Sequence, residues 1–271
     1  MKGFLTLLVQ LLFAVCFAQT QADSIAIVTA DWHEQQLAAG LTVKQASFAQ
    51  LYRGPQRIFI LEVDPTHHPL SVVPHERREL TTDKAHENHA MGAINGTYFD
   101  MGETGRSVCY IAVSGTVIDY TKSGIDLPAD GAVVLKKKKV SIIPWSVSAE
   151  HSYKVKGKSV MCCGPLMVNK GKEIDFGPNP GSHIPSPNPR SGIAKAGKHR
   201  VMLIVVDGRR PEVATGVTIP EFAHLCRILG ARSALNLDGG GSSVLWTENT
   251  GILNNPSDGT ERAVSNSIIV K

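Results

Sequence analysis

Ala234-Leu235-Asn236-Leu237-Asp238-Gly239-Gly240-Gly241-Ser242-Ser243 is a short apolar run that stops at an acid, three glycines and two serines. Residues 234–237 read as a buried strand, too short for a helix and bounded by turn residues. Asp238 then stands at the strand's end, held rigidly at a sheet edge where a ligand can reach it. A tight turn needs one glycine, sometimes two. Three in succession let the backbone approach a ligand closely, and their N–H groups can cradle an anion. Ser242 and Ser243 add hydroxyl donors. No Gly-Lys-Ser/Thr sequence is present here, so this is not a nucleotide P-loop.

The same pattern occurs upstream. Val201-Met202-Leu203-Ile204-Val205-Val206 is a run of the kind buried on both faces, and it ends in Asp207-Gly208-Arg209. Between the two strands, Thr218-Ile219-Pro220-Glu221 is a capping box with proline in the first helical turn. Phe222, Leu225, Cys226 and Leu229 share one helical face, and Gly230 ends the helix. The capping box accounts for Glu221, which is therefore read as structural and not as a third acid of a site.

Working outward, strands are expected over residues 57–64, 71–74, 93–95, 109–113, 116–118, 132–135, 243–246 and 267–270, with helices near 46–51 and 81–91. Residues 176–189 carry five prolines and can be neither helix nor central strand. They form a long irregular loop, of the sort that is often functional. Lys136-Lys137-Lys138-Lys139 sits between apolar strands and reads as a solvated hairpin tip in preference to a polyanion patch. With no internal repeat or sharp change of composition, the expectation is an α+β fold. It is a single domain on a mixed β-sheet core with flanking helices, over 57–271 after a lead-in at 19–56.

Residues 1–18 have a positive start at Lys2, an apolar stretch over 4–15 and small residues at Cys16 and Ala18. That describes a secretory signal peptide cleaved after Ala18; a lipoprotein acylated at Cys16 is the lesser reading. The stretch is shorter than the roughly 20 residues of a membrane span, so a secreted or periplasmic protein without stable membrane insertion is expected. The composition is 42% hydrophobic and 19% charged with a net charge of +4, which suits a globular core and does not call for nucleic acid. Export permits disulfides among Cys109, Cys162, Cys163 and Cys226. A Cys109 bond to Cys162 or Cys163 is conceivable, and Cys226 reads as a core thiol.

Arg190, Arg209 and Arg262 lie near these motifs in sequence, and guanidinium suits two-pronged phosphate contact. His67, His68, His75, His86 and His89 fall in polar segments without metal-ligand spacing, so neither metal nor cofactor is expected. Asn95-Gly96-Thr97 is formally a glycosylation sequon but follows a buried strand and reads as architecture.

Six segments occur in the order seen in a known family: Asn95-Gly96-Thr97-Tyr98-Phe99, Gly164-Pro165-Leu166-Met167-Val168, Pro189-Arg190-Ser191-Gly192-Ile193, Val206-Asp207-Gly208-Arg209, the stretch 234–243, and Arg262-Ala263-Val264-Ser265-Asn266. The chain resembles the phosphodiester glycosidases over about residues 57–271. It departs from them at Thr97, where a second glycine is usual, and at Ser191-Gly192-Ile193-Ala194. The resemblance implies an extracytoplasmic hydrolase acting on a phosphorylated glycan or glycopolymer.

Holding phosphate and stabilising a cationic sugar are the demanding tasks of such a reaction. Asp207 and Asp238 are expected to supply the nucleophile or the water-activating base, and Asn236 to position a sugar hydroxyl or the attacking water. Arg190 and the turn Gly239, Gly240, Gly241, Ser242 and Ser243 are expected to hold phosphate, with Asn95, Gly96, Arg209 and Arg262 contributing to binding. The rival readings are a metal-dependent phosphodiesterase cleaving P–O and a non-catalytic module binding cell-envelope glycopolymers.

Overall fold

Strand-forming sequence dominates the chain, and in the computed structural model it is organised into three sheets, with few helices. The structure describes residues 21–102, 104–125, 127–177 and 181–271. The signal-peptide reading, with its Ala18 cleavage site and Cys16, lies outside the described residues.

The largest sheet has eight strands, in the spatial order β1 (His33–Ala38), β2 (Leu41–Leu51), β3 (Gly54–Val63), β14 (Val201–Val206), β13 (Arg190–Lys195), β15 (Ser233–Asn236), β11 (Leu166–Asn169) and β12 (Lys172–Glu173). A five-stranded sheet follows the order β7 (Thr116–Asp119), β6 (Ile111–Val113), β10 (Ser159–Cys163), β8 (Gly131–Lys136) and β9 (Lys139–Pro144). The third has β17 (Gly251–Ile252), β16 (Leu245–Thr247), β5 (Gly92–Asn95), β18 (Val264–Val270) and β4 (Leu70–Glu79). Helices are α1, whose described part covers residues 21–29, α2 (Thr81–Glu87) and α3 (Ile219–Ile228).

β14 shows why its sequence is uninterruptedly apolar. Val201, Leu203 and Val205 enter a core shared with Val133, Met161 and Ile268 of the smaller sheets. Met202, Ile204 and Val206 enter a second core with Ile27 of α1 and with Phe222, Leu225 and Cys226 of α3. Both faces of this strand are covered, one by sheet and the other by helix.

The expected mixed sheet is corrected. Every strand pairing among the described residues is antiparallel. A run without alternation reports burial on two faces; it carries no information about the direction of the neighbouring strand. The expected helix near 46–51 is also corrected, because that segment is the second half of β2, paired with β3 from Leu41 to Leu51. Helix-forming Ala, Gln and Leu are overridden there by a long partner strand. β1 and β2, from the segment read as a lead-in, are therefore strands of the main sheet.

Several expectations hold in detail. The capping box at Thr218 and Glu221 is present, and Gly230 follows α3 with φ +92°. Lys136–Lys139 turns the exposed β8–β9 hairpin. Pro74 falls in β4, at the edge of its sheet, where a missing N–H is tolerated. Cys226 is the buried thiol expected, whereas the bond considered between Cys109 and Cys162 or Cys163 is corrected, because all three are buried free thiols.

Candidate active site

β13 runs antiparallel to both β14 and β15, so the latter two point the same way. Their C-terminal ends, carrying Asp207 and Asp238, meet the N-terminal end of β13, where Arg190 pairs with Val206. Topology thus brings three residues, distant in sequence, to one sheet edge.

Asp238 is half-buried and its backbone is clamped. Its N–H donates to the carbonyl of Gly96 at 3.0 Å, and its carbonyl accepts from Asn95 Nδ2 at 2.6 Å. Its carboxyl forms no salt bridge within 4.0 Å among the described residues. The dry surroundings push its pKa up to about 6; the nearby Ser242 hydroxyl, the Arg262 charge and the Gly239 N–H act in the opposite direction. A carboxylate that is held in place and titrates close to neutrality is suited to accepting a proton.

Asn95 and Gly96, expected to contribute to binding, are engaged inside the protein. Asn95 is fully buried, and its Oδ1 accepts from Ser191 Oγ at 2.7 Å and from Val244 N–H at 3.2 Å. A Cβ on Gly96 would lie 1.8 Å from Asn266 Oδ1, the atom that accepts from Thr97 N–H. Together these groups hold the Asp238 backbone in place.

The glycine turn is packed from outside. Gly240 has φ +60°, and a Cβ there would sit 2.8 Å from an Arg209 Nη2; a Cβ on Gly241 would sit 2.1 Å from Arg262 Nη2 and 2.2 Å from Asp258 Oδ2. Gly239 faces the Pro189 carbonyl at 2.7 Å from such a Cβ. Each glycine therefore admits a different neighbour. The expected amide cradle is only partly open, because Gly240 N–H donates to Pro189 O, Ser242 N–H to Gly239 O and Ser243 N–H to Gly240 O. Among the described residues, Ser243 Oγ and Asn236 Oδ1 are buried without a hydrogen bond of good geometry, and the Ser242 hydroxyl lies beside the Asp238 carboxyl.

The three arginines differ. Arg190 is buried and points its guanidinium into the Pro-rich loop. Nε donates to Val217 O at 3.0 Å, and Nη2 to His183 O at 2.8 Å and Ser186 O at 2.6 Å. Burial lowers its pKa to about 10. Arg209 is exposed and takes a positive φ of 62°; it rests on Asn188 Oδ1 at 3.1 Å through Nη2. Arg262 pairs with Asp258 at 2.5 Å. Arg209 and Arg262 flank the turn, whereas Arg190 braces the loop beside it.

Asp207 is buried, and its carboxylate is already engaged. Oδ1 accepts from Asn255 N–H at 3.0 Å and Oδ2 from Asn255 Nδ2 at 3.4 Å. Burial raises its pKa, and the bonds from Asn255 oppose the shift. Asn254, one residue earlier, joins Ser243 O to Leu245 N–H through its side chain. Asp207 thus secures the loop that supports the glycine turn. Lying two strands from β15, it is separated from Asp238 by roughly 10 Å of backbone.

Asn236 donates from Nδ2 to Gly164 O at 2.8 Å, Leu237 O at 2.8 Å and Tyr98 Oη at 3.1 Å. Tyr98 itself donates to Gly164 O at 2.5 Å. Sequence reasoning missed the parts played by Tyr98, Asn188, Asn254, Asn255, Asp258 and Asn266, all of which are ordinary turn or strand residues until the fold joins them. Glu221 remains at the helix cap, bonded to Thr218 N–H and Arg53 Nε, both at 2.8 Å. The histidines named for metal are dispersed. His67 meets Asp64, His68 caps Ala39 and Lys271 carbonyls, buried His75 bonds Val264 O, and His86 lies against Trp246. No helix among the described residues is long and apolar enough to cross a membrane.

Comparison with known proteins gives the chain's family and fold relatives. A family model described as phosphodiester glycosidase matches residues 88–271. Among solved structures, the catalytic domain of zebrafish N-acetylglucosamine-1-phosphodiester alpha-N-acetylglucosaminidase, auto-inhibited by its pro-peptide, is similar at TM-score 0.69 and 19% identity, covering 88% of this chain and 87% of that one. A hypothetical protein from Synechocystis matches at TM-score 0.60 and 17% identity, covering 89% and 63%. A Burkholderia pseudomallei protein described as exported matches at 0.61 and 15%, covering 82% and 75%. Among curated proteins, none matches the sequence significantly.

Proposed function

The chain belongs to the phosphodiester glycosidase family, and from that premise we propose that it is an exported hydrolase releasing a sugar from a sugar-1-phosphodiester. The observation that carries the reading is the Asp238 carboxyl, clamped through its own backbone, free of salt bridges among the described residues and raised to about 6.

A phosphodiester leaves readily, so protonating it matters less than at an ordinary glycoside. The protein's tasks reduce to activating water at the anomeric carbon and holding the phosphate. Asp238 takes the proton of the attacking water. Arg209 and Arg262, on either side of the glycine turn, face the phosphate charge. Among the described residues, Asn236 Oδ1 and Ser243 Oγ lack bonds of good geometry, and a buried polar atom left so costs about 1–3 kcal/mol. Substrate hydroxyls or water complete them. Asp207 and Arg190 are assigned to positioning, since their polar atoms hold the loops that frame the turn. A phosphorylated glycan in the periplasm or outside the cell fits both the family and the N-terminal sequence.

Hydrolysis in ¹⁸O-labelled water tests the bond assignment. Label in the released sugar with unlabelled phosphate is expected. Label in phosphate establishes P–O cleavage and overturns the glycosidase reading in favour of a phosphodiesterase.

A further inference from the structure

The lysine run read as a solvated hairpin tip does not stand alone. Lys138 and Lys139, at the β8–β9 turn, line a cleft of about 660 Å³ together with Lys195, Lys198 and Arg232. Lys195 ends β13, Lys198 lies in the turn to β14, and Arg232 precedes β15. Three separated parts of the chain therefore contribute to one cleft five positive charges, against a net charge of +4 for the whole protein. Among the described residues, no acidic side chain lines it.

These cations are also uncompensated. None of the five forms an ion pair among the described residues. Of the acids at the adjoining end of β3, Glu62 is paired with Lys44 and Arg200, and Asp64 is bonded by Thr66 and does not line the cleft. Lys138 Nζ is drawn onto the Thr66 carbonyl at 2.7 Å, which fastens the hairpin over the cleft. Like charges gathered in a concave site repel one another and concentrate positive potential. A bound polyanion relieves that repulsion and releases its own counterions, as phosphodiester chains do on basic surfaces.

The cleft is at the opposite end of β13 from Arg190, so about 17 Å of strand separates it from the candidate active site. That exceeds the screening length of about 8 Å at physiological salt, and the two sites do not act as one charge patch. The volume far exceeds a single phosphate ion.

We propose that this cleft is a second, non-catalytic site that binds an anionic polymer of phosphodiester-linked sugars or polyols. The class of polymer rests on the glycosidase reading; the presence of an anion site does not. Such a site anchors a long substrate and leaves short ones unaffected.

The test uses poly(glycerol phosphate) as probe and the mature protein carrying D238N, so that turnover does not confuse binding. Adding K138E, K198E and R232E, all at exposed positions, is expected to weaken binding at least tenfold and to flatten its salt dependence. The same triple change in otherwise unaltered protein should leave kcat/KM on a small sugar phosphodiester unchanged. A milder set, K138Q, K198Q and R232Q, with melting curves, guards against misfolding and should give an intermediate loss. Equal affinity in the triple variant overturns the site. Equal affinity for single-stranded DNA of matched charge overturns the ligand class and makes the cleft a nucleic-acid groove. No binding to either, with small substrates still cleaved, overturns the cleft and leaves the active-site reading standing.

Discussion

Asn95 donates to the backbone carbonyl of Asp238 at 2.6 Å while its own carbonyl oxygen accepts from Ser191 and Val244. One buried amide thus joins β5, β13, the acid and the entry to β16. Asn95→Ala leaves a buried hydroxyl, an N–H and a carbonyl without partners, at a cost on the order of 3 kcal/mol in total. Thermal unfolding should show this loss at every pH. A variant that melts normally but fails to bind substrate would make Asn95 a substrate contact instead.

Asp238→Asn is expected to abolish turnover and to raise the melting temperature near neutral pH. The acid's pKa is raised to about 6 from an ordinary 3.8. Folding therefore favours its protonated form, and the penalty of ionisation is absent below about pH 4 and grows as pH rises to 6. The melting difference between variant and wild type should open over that window. In the wild type, kcat/KM should climb with pH and level off above about 6. Constant kcat/KM from pH 4 to 8 would remove Asp238 from the role of base.

Arg190→Lys should destabilise, because lysine cannot reach the Val217, His183 and Ser186 carbonyls with a fork of donors. Activity on phosphodiester and neutral glycosides should fall together, with faster proteolysis within residues 181–189. Loss confined to phosphodiesters at unchanged stability would return Arg190 to the phosphate.

Arg209→Gln should behave in the opposite way. Its side chain is exposed and, among the described residues, bonds to Asn188 and Ser257, so stability should change by less than about 0.5 kcal/mol. The KM for a sugar phosphodiester should rise about tenfold or more, while a neutral nitrophenyl glycoside is little affected. Equal kinetics for both proteins on the phosphodiester would place its phosphate elsewhere.

Gly241→Ala places a methyl group where the Arg262–Asp258 pair now lies, 2.1 Å from one nitrogen. The pair must move off the turn. A measurable loss of both melting temperature and kcat/KM is expected, whereas Gly251→Ala, which meets nothing within 4 Å despite its φ of +80°, should lower stability alone.

What the sequence disclosed follows from locality. The strand 201–206, the capping box at Thr218 and the turn at Gly239 are each set by neighbours in the chain, and all three are found as read. Side-chain employment is not local. Nothing around Arg190 reveals that its donors meet carbonyls 4, 7 and 27 residues away, and nothing around Asp207 reveals Asn255, 48 residues on. The surroundings of the lysine run are likewise not local. A hairpin tip is what Lys136–Lys139 forms, but its neighbours Lys195, Lys198 and Arg232 come from strands that only the fold brings alongside.

β14 is covered on both faces and flanked by β3 and β13. The frayable margins of its sheet are β1 and β12, several strands away on each side. Amides of β13, β14 and β15 should therefore exchange with solvent only through global unfolding, while those at the margins open locally. The residues at the sheet edge that carries Asp238 inherit that persistence. A destabilised variant would keep its remaining folded molecules fully competent, and activity lost on heating would count molecules unfolded instead of sites loosened.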